Sequence, residues 1–181
     1  MILELLSGYN SSRLAVRVRF GVPVVEAYGM TEAAHQRASS PLSGARKAGA
    51  VGCATGLEIA ILDNAGEQLA TGQRSEICIK GPNVFSGYED NPDANAASFT
   101  RGWFRTGDLG FLDQDGYLTL LGRIKELINR GGERISPQEI NGVFIAHPSV
   151  SEAVCFAVPD RLYGEEVAAG VVLIKPDLRP V

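Results

Sequence analysis

Gly110-Phe111-Leu112-Asp113-Gln114-Asp115-Gly116-Tyr117-Leu118-Thr119-Leu120-Leu121-Gly122 reads as two apolar runs around an Asp/Gly turn, and the texture of the chain differs on its two sides. Asp-Gly supplies the positive φ that tight turns require, so the segment predicts a β-hairpin. Upstream, Leu57-Glu58-Ile59-Ala60-Ile61-Leu62 alternates and then meets Asp63-Asn64-Ala65-Gly66, while Glu76-Ile77-Cys78-Ile79-Lys80 alternates and ends at Gly81-Pro82; both predict strands. Downstream, Arg123 to Arg130 mixes charged and apolar residues, and Gly131-Gly132 interrupts it. Ser136-Pro137-Gln138-Glu139 then carries the N-cap, N1 proline and N3 acid of a helix start. A helix from Pro137 to about Ala146 and a strand from Ala153 to Val158 are expected. The whole is a mixed α/β pattern: a β-rich segment to about Gly122, then the start of a separate α/β unit, divided near Arg123-Ile124-Lys125.

Composition narrows the class. The 181 residues are 45% hydrophobic and 21% charged, as in a soluble globular protein. A net charge of −4 with scattered basic residues offers no basic stripe, so nucleic acid is not an expected partner. Met1 to Gly8 is apolar but carries Glu4 and has no basic flank, which fits neither a signal peptide nor a membrane span, and a cytoplasmic location is expected. Cys53, Cys78 and Cys155 are odd in number and far apart, so they read as buried free thiols and not as a zinc site.

Tyr28-Gly29-Met30-Thr31-Glu32 follows the apolar run Val22-Pro23-Val24-Val25, a strand running into a polar loop of the kind that binds ligands in α/β proteins. In isolation the same five residues also fit a solvated turn, and Thr106-Gly107-Asp108 also fits an ordinary turn.

Taken together, three stretches resemble the adenylate-forming superfamily of acyl-CoA synthetases, peptide-synthetase adenylation domains and beetle luciferases. They are Tyr28 to Glu32, then Gly102-Trp103-Phe104-Arg105-Thr106-Gly107-Asp108, then Gly122-Arg123-Ile124-Lys125-Glu126-Leu127-Ile128 with Gly131-Gly132-Glu133-Arg134-Ile135-Ser136-Pro137-Gln138-Glu139. The likeness runs from about Phe20 to Ile174. Glu26 to His35, Gly81-Pro82-Asn83-Val84 and Asn129 to Glu133 look most like the oxalate–CoA ligase branch. The resemblance implies the β-rich, distorted-barrel end of a large domain (residues 1–122), a hinge (123–127) and the start of a small α/β domain (128–181).

It also implies roles. A carboxylate must meet the α-phosphorus of ATP although both are anionic, so a cation and aimed donors are needed. By resemblance Thr31 donates to the α-phosphate, Glu32 helps hold Mg²⁺, and Tyr28, followed by Gly29, packs its ring on adenine. Asp108 would accept the ribose hydroxyls, and Arg123 would touch the ribose or phosphate region. A core tyrosine, a turn-capping aspartate and a surface arginine are the plainer alternatives. Lys125 matches the hinge position, where many members have Asp. Gly131 and Gly132 match the loop lining the CoA tunnel, or a simple helix stop. His35 stands where the acyl pocket begins, and its imidazole would suit the second carboxylate of a small diacid such as oxalate.

Departures from the family accompany these matches. A Ser/Thr/Gly-rich phosphate loop and the late lysine that would face the pentavalent phosphorus are absent from the sequence. Leu14, Val16 and Val18 alternate with arginines like a strand, where the family has a helix. Ser75 replaces a usual glycine and Asn141 a usual acid. The expectation is a truncated ligase, inactive alone, whose exposed apolar surface calls for a complementing N-terminal half or a second copy. A non-catalytic nucleotide-binding or interaction module is the alternative.

Overall fold

Strands β1 (Ala27–Met30), β2 (His35–Ser39) and β3 (Cys53–Ala54) form one antiparallel sheet in that order, in a computed structural model that describes residues 24–174. The described residues divide into two compact units, with the boundary between Leu120 and Leu121. The first strand begins later than the apolar run Val22 to Val25 suggested. Val24 and Val25 are not in it, because the ladder with β2 ends where Ser39 faces Ala27. Val22, Pro23 and the alternating Leu14–Val18 stretch lie outside the described residues.

The second sheet of this unit holds the hairpin expected around the Asp113–Gly116 turn. Strand β4 (Glu58–Leu62) pairs with β5 (Ser75–Lys80), and β5 pairs with β7 (Trp103–Leu112). Helix α1 (Pro92–Ser98) leads into the short β6 (Phe99–Thr100), which pairs back on β7, and β8 (Leu118–Arg123) completes the five strands. The turn between β7 and β8 closes because the Asp113 carboxylate accepts the N–H groups of Asp115 and Tyr117, each at 2.9 Å, while Gly116 takes φ +78°.

Alternate residues of these strands turn inward, as a two-residue period requires. Tyr28, Ala38, Val51, Ile61, Ile77 and Leu118 make one buried cluster, and Ala33, Ile79 and Phe104 a second, with Phe85 and Phe99 packed against it. Gly52, directly before β3, lies hard against β2: a Cβ there would lie 1.9 Å from the Ser39 carbonyl carbon, so no other residue fits.

In the second unit, β9 (Ile128–Arg130), β10 (Glu133–Ile135), β11 (Val150–Asp160) and β12 (Gly164–Leu173) form an antiparallel sheet in the order β10-β9-β12-β11. Helix α2 (Pro137–Ile145) starts as expected, with the Ser136 side chain accepting from Glu139 N–H and donating to the Leu121 carbonyl. Asn141, on α2, accepts the backbone N–H of Cys155 at 2.7 Å and so ties the helix to β11. Val154 and Phe156 of β11 remain 58% and 47% exposed.

The mixed α/β class is therefore borne out. The barrel expectation is narrowed: among the described residues the strands sort into three sheets with no closed barrel, and an antiparallel bridge from Gly52 to Leu118 links the first sheet to the second. No helix among the described residues is long and apolar enough to cross a membrane.

Candidate functional site

Asp108 does not sit in a turn. It lies inside the ten-residue strand β7, where the pairing with β5 jumps from Glu76 opposite Leu109 to Cys78 opposite Arg105. That bulge is built by Gly107, at φ +74°, a conformation open to glycine at little steric cost. Glu76 secures it from the neighbouring strand: one carboxylate oxygen accepts Gly107 N–H at 3.0 Å and the other pairs with Arg105 at 2.6 Å. Thr106 donates its hydroxyl to the Ile77 carbonyl at 2.7 Å and accepts from Asp108 N–H at 3.1 Å. The outcome is an aspartate only 6% exposed and aimed inward.

Tyr28 meets it there. The phenolic hydroxyl of Tyr28 donates to Asp108 Oδ2, and Arg37 Nη2 lies 3.7 Å from the same oxygen. Arg37 also donates to the Gly29 carbonyl at 2.9 Å and sets its guanidinium 3.4 Å from the centroid of the Tyr28 ring. Burial raises the Tyr28 pKa well above its ordinary value, with Arg37 opposing the shift and Asp108 adding to it. The phenol is therefore a hydrogen-bond donor and not a phenolate.

Thr31 and Glu32 form a single 3-10 turn, Thr31–Ala33, directly after β1. Thr31 is exposed and Glu32 half-buried. Tyr88 donates its hydroxyl to Glu32 Oε1 at 3.1 Å, and Phe85 N–H donates to the Glu32 carbonyl at 2.9 Å. Burial, then the bond to Glu32, raises the Tyr88 pKa, again keeping the donor protonated. Tyr88 is itself held by Asn95, whose side-chain amide accepts from Tyr88 N–H at 2.7 Å and donates to Tyr88 carbonyl at 2.9 Å. His35 is exposed and, like Ala34 before it, has a positive φ, +80° against +47°.

Four further candidates belong to the second unit. Arg123 ends β8 and Lys125 lies in a 3-10 turn, Ile124–Glu126, and both are exposed. Gly131 and Gly132 do not stop a helix. They form the two-residue turn between β9 and β10, with Arg130 opposite Glu133 and φ values of +60° and +94°, the signature of a turn that needs positive φ at both positions. Gly131 N–H donates to the Tyr163 carbonyl at 2.9 Å, and a Cβ on Gly131 would come within 3.2 Å of the Tyr163 ring. Arg130 lies over that ring, 4.1 Å from its centroid, and pairs with Glu166 at 2.7 Å.

Two family profiles match the chain. One, described as AMP-binding enzyme, covers residues 10–89, and the other, AMP-binding enzyme C-terminal domain, covers 139–180. The chain belongs to the AMP-binding enzyme family. Among the relatives, an oxalate–CoA ligase of Arabidopsis thaliana is 56% identical over 155 residues, 84% of this chain and 30% of that protein. An oxalate–CoA ligase of Saccharomyces cerevisiae is 52% identical over 159 residues, 86% and 29%. Among solved structures, ATP-bound MatB from Rhodopseudomonas palustris superposes with a TM-score of 0.86 at 38% identity, covering 93% of this chain and 34% of that one. The chain thus spans about 30% of the length of these curated relatives.

Within the chain, the first unit brings Tyr28 and Asp108 together and puts Thr31 and Glu32 directly after the Tyr28 strand. Three residues at the centre were not singled out from sequence: Arg37, Glu76 and Asn95. Arg37 and Glu76 act through partners far away in sequence, and Asn95 through Tyr88 seven residues before it, a spacing that no common turn or cap pattern marks.

Proposed function

We propose that this chain supplies part of the nucleotide site of an ATP-dependent carboxylate–CoA ligase, which converts an acid, ATP and CoA to acyl-CoA, AMP and diphosphate. The observation that carries the reading is the direct bond between Tyr28 and Asp108, two motif residues that family resemblance assigns to adenine and ribose. Residues 1–122 would serve as part of the large domain, 123–127 as the hinge around Lys125, and 128–181 as part of the small domain.

Each residue then has a physical task. Tyr28 offers ring area to adenine at little entropic cost, with Gly29 leaving room beside it. Asp108 accepts ribose hydroxyls, and Arg123 contributes a charged fork toward ribose or phosphate. Thr31, exposed on its 3-10 turn, donates its hydroxyl to the α-phosphate. Glu32 keeps one carboxylate oxygen on Tyr88 and has the other for a hard cation. Among the described residues no cluster of three acidic, histidine or cysteine side chains exists. Mg²⁺ is ordinarily held by one or two carboxylates together with substrate phosphates; bound at Glu32, it would neutralise phosphate charge. His35, exposed at the start of β2, would face the acid, with oxalate or a similarly small diacid as the substrate class. Gly131 and Gly132 would allow CoA to pass close to the backbone.

A second reading is favoured by one observation, the arginine lying on Tyr28: a nucleotide-binding or interaction module without turnover of its own. A cytoplasmic setting, and a complementing N-terminal half or a second copy as partner, accompany either reading.

Titration calorimetry with AMP and with ATP·Mg²⁺ tests the proposal. Saturable binding by the wild type, lost on Asp108→Ala in a folded protein, is expected; equal binding by both would sink it. Thioester formation on adding a separately expressed N-terminal half of a relative would favour the ligase over the silent module.

A further inference from the structure

The largest of the fully buried side chains among the described residues is an arginine, Arg37, 1% exposed. A buried guanidinium is costly unless its surroundings repay it, and the ligase reading gives Arg37 no task. Its placement follows from the backbone. In the β1–β2 ladder Tyr28 faces Ala38 and Gly29 faces Gln36, so Arg37 is the extra residue of a bulge. A bulge re-aims the side chain it inserts, and here it lays the guanidinium over Tyr28.

The contacts reached in this way are specific. The guanidinium carbon stands 3.4 Å from the ring centroid, Nη2 donates to Gly29 carbonyl at 2.9 Å, and the same nitrogen is 3.7 Å from Asp108 Oδ2. A planar cation stacked at that distance covers the ring face. One side chain therefore makes both contacts that the nucleotide reading reserves for adenosine: a flat group on Tyr28 and a polar group on Asp108. A purine and a guanidinium cannot share one ring face.

We propose that Arg37 is an internal occupant of the nucleotide half-site, and that a purine nucleotide binds only in molecules where the Arg37 side chain has left Tyr28. This rests on the nucleotide reading of Tyr28 and Asp108. Apparent affinity is then lowered by the fraction of molecules in the open arrangement, and Arg37 sets that fraction.

The test uses the 181-residue chain as wild type, Arg37→Ala and Arg37→Lys. Lysine keeps a positive charge near Asp108 but gives no planar cover, and it carries the test if the alanine variant does not fold. Hydroxyl-radical footprinting reads exposure of the Tyr28 ring, with Tyr117 as internal reference, and calorimetry reads AMP affinity. The expected result is a Tyr28 oxidation rate several times the wild-type value in both variants, and AMP binding about tenfold tighter for Arg37→Ala. Equal protection of Tyr28 in all three proteins overturns the proposal, as does an AMP affinity that is measurable and unchanged. If the ring opens in the variants yet none of the proteins binds AMP, Arg37 is the cover and the nucleotide reading of the site is what fails.

Discussion

Tyr28 and Asp108, 80 positions apart, are joined by a hydrogen bond in which the phenol donates to the carboxylate. The aspartate is thus engaged by the protein before any ligand arrives, with Arg37 at 3.7 Å from the same oxygen. Asp108→Ala removes the acceptor of a buried hydroxyl and the counter-charge of a buried guanidinium. It is expected to lower stability by about 3–5 kcal/mol, read as a lower urea midpoint, and to abolish AMP binding. Asp108→Asn retains a carbonyl acceptor for Tyr28 and should recover part of the stability without recovering the nucleotide.

Tyr28 also ties stability to alkaline pH. Its pKa is raised from the ordinary 10.0 by burial, so above that value the folded chain holds a proton that the unfolded chain has released. The contribution is complete below the unfolded pKa, and stability falls as pH rises past it, by up to about 1.4 kcal/mol per pH unit. Tyr28→Phe should flatten that part of the curve. Urea midpoints measured between about pH 9 and about pH 11 for the two proteins decide it; parallel curves would show that Tyr28 is not the group responsible.

Gly107 should prove indispensable for a backbone reason alone. Its φ is +74°, and a Cβ there would meet nothing within 4 Å, so Gly107→Ala has no clash to relieve. The substitution is expected to cost about 1–2 kcal/mol from the left-handed conformation itself and to weaken AMP binding by re-aiming Asp108. Gly72→Ala is the control, with φ +84° and equally open space: a similar loss of stability with AMP affinity unchanged.

The cysteines should separate by reactivity. Burial, and then the nearby Glu76 carboxylate, push the Cys78 thiol up to about 12, and Cys78 is wholly buried. Because the thiolate is the nucleophile, iodoacetamide at neutral pH should leave Cys78 unlabelled until denaturant is added. Cys53, half-buried on β3, should be alkylated first. Mass spectrometry of labelled peptides at successive times would expose the opposite order if it occurred.

What the sequence disclosed follows the range over which each residue acts. The Asp113–Gly116 turn and the Ser136 cap were legible because their chemistry is complete within four residues, and both stand as read. Thr106-Gly107-Asp108 was ambiguous, because a glycine before an aspartate marks turns and bulges alike. Only Glu76 on the neighbouring strand makes it a bulge. Gly131-Gly132 shared that ambiguity, and the short strands on either side resolve it as a hairpin turn. Arg37 was invisible: a polar stretch, His35-Gln36-Arg37, gives no sign that its third member is buried, since the aspartate and the tyrosine that receive it lie elsewhere in the chain.

Asn95 presents its side-chain amide to Tyr88 as a neighbouring strand would present a peptide group, accepting from the N–H and donating to the carbonyl. Deamidation replaces the donating nitrogen with a second acceptor bearing negative charge, directed at a carbonyl oxygen. The damage would not stop at that loop, because the hydroxyl of the same tyrosine holds Glu32. A chemical lesion of ageing on α1, one atom in extent, would therefore register as a loosened carboxylate beside β1.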